Sequence, residues 1–180
     1  LVGSEMCIRD SVECNTAYPG RRNTTAKHAA AIEEHGFAKI APVDIMDAGG
    51  DMELPVPGGL QIKKNFVGKS FAGYDSVVVI SHFKGHQMGG FGGALKNISI
   101  GIASSRGKAY IHGAGDPKRM WDCEQDRFLE SMADACKSVA DFKKGAMAYV
   151  SAMKNLSIDC DCNNHPAAPE MADIGILASL

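Results

Sequence analysis

The sequence predicts an α/β fold, a mostly parallel sheet flanked by helices in Rossmann-like layers. Three observations carry that expectation. Apolar runs of strand length alternate with segments of helical period along the chain. The run DSVVVIS is continuously apolar and β-branched, as strands covered on both faces are. Polar loops follow the strands at their carboxyl ends, where open parallel sheets hold their ligands.

The opening LVGSEMCIRDS, residues 1–11, reads as the translation of a sequencing adapter and is set apart from the fold. Natural sequence is then expected to begin at Val12, to be cut at both ends, and to form a single α/β domain over 12–180. A strand ends at 12–14, followed by the loop NTAYPGRRN and an Ala-rich helix over 24–35 that Gly36 stops. His28 and His35 are expected on that helix's surface. A strand follows at 39–43, then MELPVPGGLQIKKNFVGK as a Pro- and Gly-interrupted hairpin. The DSVVVIS strand runs straight into His82, and GALKNISIGI gives a short helix whose N-terminus would favour negative charge. From Asp116, with Pro117 at the first helical position, a long amphipathic helix is expected up to Gly145. Phe128, Leu129, Met132, Ala135, Cys136, Val139 and Phe142 form its apolar stripe. Strands at 148–153 and 174–178 bracket the loop SIDCDCNNHPAAPEM.

With 180 residues and 45% hydrophobic content the chain can bury one proper core. No stretch approaches the roughly 18 apolar residues of a membrane span, and a net charge of −2 supplies no basic field for nucleic acid. Setting Cys7 aside with the opening segment leaves Cys14, Cys123, Cys136, Cys160 and Cys162, an odd set that suits a reducing cytoplasm better than a disulfide framework. The expected partner is a small anionic molecule, with a redox partner if the chain carries electrons.

The stretch SHFKGHQMGGFGGALKNISIG, residues 81–101, concentrates histidines, lysines and glycines. It satisfies neither G-x-G-x-x-G nor the Walker A pattern, because Leu95 stands at the third glycine position and before Lys96. Gly90, Gly92 and Gly93 let backbone N–H groups approach a ligand, with Asn97 beside them; the alternative is a glycine turn packed on a neighbour. His82 and His86 are four apart and follow a strand, so a loop suits them better than a helix face. They read as proton-handling or metal-binding groups, or else as histidines bonded to loop carbonyls. Cys160 and Cys162 alternate, with His165 one turn further on, as a soft-metal or reactive-thiol cluster or as two small residues beside a turn. Arg21 and Arg22, with Tyr18 and Asn23, offer planar donors for a carboxylate or phosphate; paired arginines otherwise form a solvated face.

The segments ECNTAYPGRRNT, EHGF, SHFKGHQMGGFGGALKNISIG, GKAYIH and DCDCNNHP together resemble the family known as domain of unknown function 362, over residues 12–180. Members often carry ferredoxin-type cysteine motifs, which implies a 4Fe-4S, ferredoxin-like binding or electron-transfer role; between Ile111 and Asp116 this chain has no such insert. The order His86, GGFGG, Lys96, His112 is also similar to the nickel-pincer lactate racemases. That likeness implies His86 as proton acid/base, Lys96 as tether of a nickel-pincer cofactor and His112 as metal ligand. By proximity, His82 is the candidate for the second catalytic histidine. The first reading is a cytoplasmic enzyme, racemase or oxidoreductase-like, that binds metal between the glycine loop and Cys160, Cys162 and His165. It would act on a small carboxylate by proton or hydride transfer; the alternative is an iron-sulfur component.

Overall fold

The computed structural model describes residues 10–160, 167–169 and 171–180. Strand β1 (Ser11–Glu13) pairs in parallel with β2 (Val43–Ile45), and between them lies α1 (Thr25–Glu34). Thr24 caps α1 by accepting the Lys27 N–H, and Gly36, at φ 77°, turns the chain out of it. The strand expected at 39–43 starts later. Residues Phe37–Lys39 continue the exit as a 3₁₀ turn, which uses up the chain before β2. His28 is fully buried rather than on the surface: Nε2 lies 3.1 Å from the Glu13 carboxylate and Nδ1 3.2 Å from Asn15 Oδ1. Those two partners satisfy a polar ring that the Ala-rich helix face takes inside.

The interrupted segment forms the expected hairpin, β3 (Asp51–Pro55) antiparallel to β4 (Lys64–Gly68). Next come β5 (Val77–His82), the small hairpin of β6 (Lys84–His86) and β7 (Gly90–Gly92), and a single α-turn, α2 (Ala94–Lys96). A π-helical turn, Asn97–Gly101, leads on to α3 (Ser105–His112), an unanticipated helix whose cap residue Ser104 accepts the Gly107 N–H at 3.0 Å. Asp116 and Pro117 start only a 3₁₀ turn, Pro117–Arg119; the long helix α4 spans Gln125–Phe142. Strand β8 (Met147–Met153) runs parallel to β5 and antiparallel to β9 (Gly175–Ser179).

The chain is thus a mixed α/β protein with several short sheets, not one mostly parallel sheet. β1–β2 and β5–β8 are parallel, whereas β3–β4, β6–β7 and β8–β9 are antiparallel. Strand β5 is covered on one face only. Val79 and Ser81 are buried, but Val78 and Ile80 are 63% and 73% exposed, so its apolar run departs from burial on both faces. No helix among the described residues is long and apolar enough to cross a membrane.

Helix α4 joins two core clusters. Val139 packs with Cys14, Met46, Phe71 and Ile102, while Phe128, Met132 and Ala135 pack with Val56, Ile62 and Ile111. Burying each large apolar side chain contributes about 2 kcal/mol. Burial also pushes the Cys14 thiol up to about 12 and Cys136 to about 11, so neither is a nucleophile near neutral pH. On α4's polar side, the Asp134 carboxylate accepts the backbone N–H groups of Leu60, Gln61 and Ile62 at 3.0, 2.7 and 3.0 Å. This single carboxylate fixes the tip of the β3–β4 hairpin. An Asp134→Ala variant leaves three amides without their acceptor, and chemical denaturation is expected to register a loss of about 2–4 kcal/mol.

Candidate functional site

The candidate site forms where the β6–β7 hairpin meets the segment that leaves β8. Gly85 N–H donates to the Ser157 carbonyl at 2.7 Å, and a Cβ on Gly85 would sit 1.6 Å from the Ile158 carbonyl oxygen. Only glycine permits that approach. It explains the glycine between Lys84 and His86, and it lays the segment carrying Cys160 against His86's own strand.

His86 closes the hairpin by accepting the Gly89 N–H on Nδ1 at 2.9 Å. A neutral His86 therefore carries its proton on Nε2. Burial, then the charges of Lys96, His112 and Lys84, hold His86 down to about 4. His112, at the end of α3, has the opposite tautomer. Its Nδ1 donates at 2.7 Å to the Lys108 carbonyl, which only accepts, so Nε2 keeps a bare lone pair. The ring stacks on buried Phe128, with centroids 5.0 Å apart and planes at 28°. His112 is lowered by burial, against its bond to Lys108, and further by Lys96 and Lys108. His86, Lys96 and His112 are thus within electrostatic reach of one another, and no carboxylate acts on either imidazole among the described residues.

Lys96 ends α2, immediately before the π-helical turn in which Ile102 N–H reaches back to the Asn97 carbonyl at 3.2 Å. Such widened turns are frequent at functional sites. The short helix expected over GALKNISIGI is present as α2 continued without a break by the π-helical turn to Gly101. The Asn97 amide donates to Ser81 Oγ at 2.9 Å and to the Ile80 carbonyl at 3.3 Å, closing the end of β5, and the residue lines a cavity there with Val78 and Ile80. His82 Nε2–H donates to the Lys154 carbonyl at 2.7 Å. The glycines turn out to be strand and packing positions. Gly90 needs its φ of 74°, the Lys84 stem passes Gly92 with Cε 3.2 Å from where a Cβ would stand, and Gly93 faces the rings of Phe83 and Phe91.

The arginine loop is occupied by its own carboxylates. Arg21 pairs with Glu34 and Arg22 with Glu13 at 2.8 Å, while Tyr18 leans on Trp121 with ring centroids 6.2 Å apart. Asn23 Oδ1 is buried without a hydrogen-bond partner. This loop is joined to the start of α3, where Ser105 Oγ donates to the Thr16 carbonyl at 3.0 Å. Cys160 is buried, and Cys162 and His165 lie outside the described residues. Sequence reasoning missed Lys108, a deeply buried amine that donates to the carbonyls of Ala103 at 2.7 Å and Cys14 at 3.2 Å, with its pKa lowered by burial. The helical spacing of Lys108 and His112 in GKAYIH was the available signal.

Residues 6–180 match the family described as Domain of unknown function (DUF362), and the chain belongs to it. No curated protein matches the chain, and neither does any solved structure.

Two outcomes follow from the geometry. A Gly85→Ala variant must part the backbones of β6 and residue 158, and is expected to cost about 3 kcal/mol or more by denaturation. His86 stays unprotonated in the fold between its ordinary 6.5 and about 4, where the unfolded chain binds the proton. Its contribution to stability is therefore complete above pH about 6.5 and is lost as pH falls toward 4. Urea midpoints measured across that window should fall more steeply for the wild type than for His86→Asn.

Proposed function

We propose that this member of the domain of unknown function 362 family is a cytoplasmic enzyme that binds a metal or metal-bearing cofactor. It acts on a small carboxylate-bearing anion by imidazole-mediated proton or hydride transfer. The observation that carries the reading is the pair of imidazoles, kept neutral beside Lys96 with no carboxylate acting on them. A surplus of positive charge around two uncharged rings favours an anionic ligand, and imidazole is the side chain suited to moving a proton near neutral pH.

The residues fit a metal in one respect. His112 has a bare Nε2, and its Nδ1–H is held by a carbonyl, the arrangement common to ligating histidines. Among the described residues no three His, Cys, Asp or Glu side chains converge on one point. The donor set is one imidazole nitrogen with the Lys96 amine nearby. That suits a metal carried by an organic group held at Lys96 better than an all-protein cage. Such a group would supply Lewis-acid polarisation of a substrate oxygen or a hydride acceptor. His112 would hold the metal, Lys96 would hold the carrier and counter the substrate's charge, and His86 would handle the substrate's proton. The parallel pairs β1–β2 and β5–β8 are read as strands of one Rossmann-like layer, with His82 and the hairpin at a carboxyl end.

Metal content and intact mass of protein from its own host test this reading. Nickel with a mass adduct is expected, the adduct lost in Lys96→Ala and the nickel reduced at least tenfold in His112→Ala. Iron with acid-labile sulfide would replace this reading by an electron-transfer role through Cys160 and Cys162. Protein with neither metal nor adduct would leave an anion-binding domain.

A further inference from the structure

We propose that His86 serves its ligand as a neutral hydrogen-bond donor from Nε2, held in that tautomer by the backbone N–H of Gly89, so that the oxygen it meets is an anionic acceptor. The inference deepens the proposed function and rests on it only for the identity of the ligand.

The chain of reasons is geometric. An imidazole that accepts a hydrogen bond on Nδ1 has no proton there, and Gly89 N–H occupies that lone pair at 2.9 Å. Protonating Nδ1 would set two N–H groups against each other. The remaining nitrogen, Nε2, then carries the one ring proton and is the donor left for a ligand. In this resting state the neutral ring presents a donor and no free lone pair, so an oxyanion or carbonyl oxygen is received, and handling a substrate's proton requires the Gly89 contact to open first. The positive neighbours Lys96 and Lys84 favour the charged form of that oxygen.

Gly89 is suited to this positioning role. A Cβ there would stand 3.3 Å from His86 Nδ1 and 3.7 Å from Met132 Cε, so the ring and α4 leave little room for a side chain. The hairpin tip is also anchored from below, because the Gln125 amide of α4 donates to the Met88 carbonyl. His112 supplies an internal contrast. Its Nδ1 faces a carbonyl instead of an N–H, so the two rings of one site are set in opposite tautomers by backbone groups alone.

Nitrogen-15 spectra of the imidazoles in the metal-free full chain test the proposal. His86 is expected to show a protonated Nε2 and an unprotonated Nδ1, with His112 reversed in the same spectrum. A proton on His86 Nδ1, or averaging between its two nitrogens, overturns the proposal. Gly89→Pro removes the donating N–H and should turn the single His86 tautomer into a mixture while the thermal melt stays cooperative. A folded Gly89→Pro protein that keeps one tautomer overturns the role of Gly89, and if that variant does not fold, the wild-type spectrum decides. Oxalate is the anion probe. Its addition should shift the Nε2-bound proton signal, and Lys96→Gln should weaken binding at least tenfold. An intact Nε2–H tautomer without any oxalate binding would support the tautomer assignment and overturn the anion reading of the site.

Discussion

The site depends on one contact between backbones. Gly85 and residue 158 come together without a side chain between them, Gly85 N–H bonded to Ser157 and its α-carbon against the Ile158 carbonyl. Hairpins of three-residue strands are marginal by themselves in water. The β6–β7 hairpin gains its place by docking onto the chain that leaves β8, and β8 is in register with β5, the strand that feeds the hairpin. His86 is therefore held by the parallel β5–β8 pair through two short connections. Loop residues positioned this way have the definition of scaffold residues.

Electrostatics then decides what the imidazoles are. In His86 every influence acts in one direction, burial first and the lysines and His112 after it. In His112 the bond to Lys108 opposes burial and is outweighed by it. Like charge adds to burial in keeping a half-buried ring uncharged beside an ammonium, since both disfavour its charged form. A carboxylate beside the rings would act the other way, and at the arginine loop Glu13 and Glu34 do stand against Arg22 and Arg21. The two candidate regions differ in that respect. One has answered its positive charge internally, and at the other no acidic side chain among the described residues bears on the rings.

Local signals were legible where local physics sets the outcome. The Ala-rich helix α1 and its Gly36 stop, the β3–β4 hairpin, the strands around 77–82 and 147–153, and the α4 stripe all follow from propensity, turn chemistry or period. The order His86, GGFGG, Lys96, His112 stands in the sequence, but which of these groups bear on one another depends on how the hairpin and α3 pack. Helix α3 was not, since SRGKAYIH contains a glycine and mixes charges, and its stability comes from the Ser104 cap and the packing of Ile111. The burial of His28 required knowing that Glu13 and Asn15 lie above α1. The ion pairs of Arg21 and Arg22 likewise depend on partners 13 and 9 residues away. Asp116–Pro117 is a valid helix start that the chain uses for one 3₁₀ turn, because Gly113 and Gly115 have already bent it and a Cβ at Gly113 would strike the Asp116 carbonyl.

That late start of α4 matters to the site. Because the helix begins at Gln125, its first turn lies under the hairpin tip and bonds the Met88 carbonyl, and its second half-turn puts Phe128 flat against His112. Two turns further on, Asp134 fixes residues 60–62, and then Val139 enters the core beside Cys14 and Ile102. One rigid element thus sets the hairpin that carries His86, the ring of His112 and the β3–β4 tip with respect to one another. A helix running from residue 117 would spend its first turns on the segment that instead brings Trp121 to Tyr18. The irregular stretch 113–124 is what lets α3 end at His112 and α4 return beneath it, so that both imidazoles are supported by the same helix while belonging to different elements.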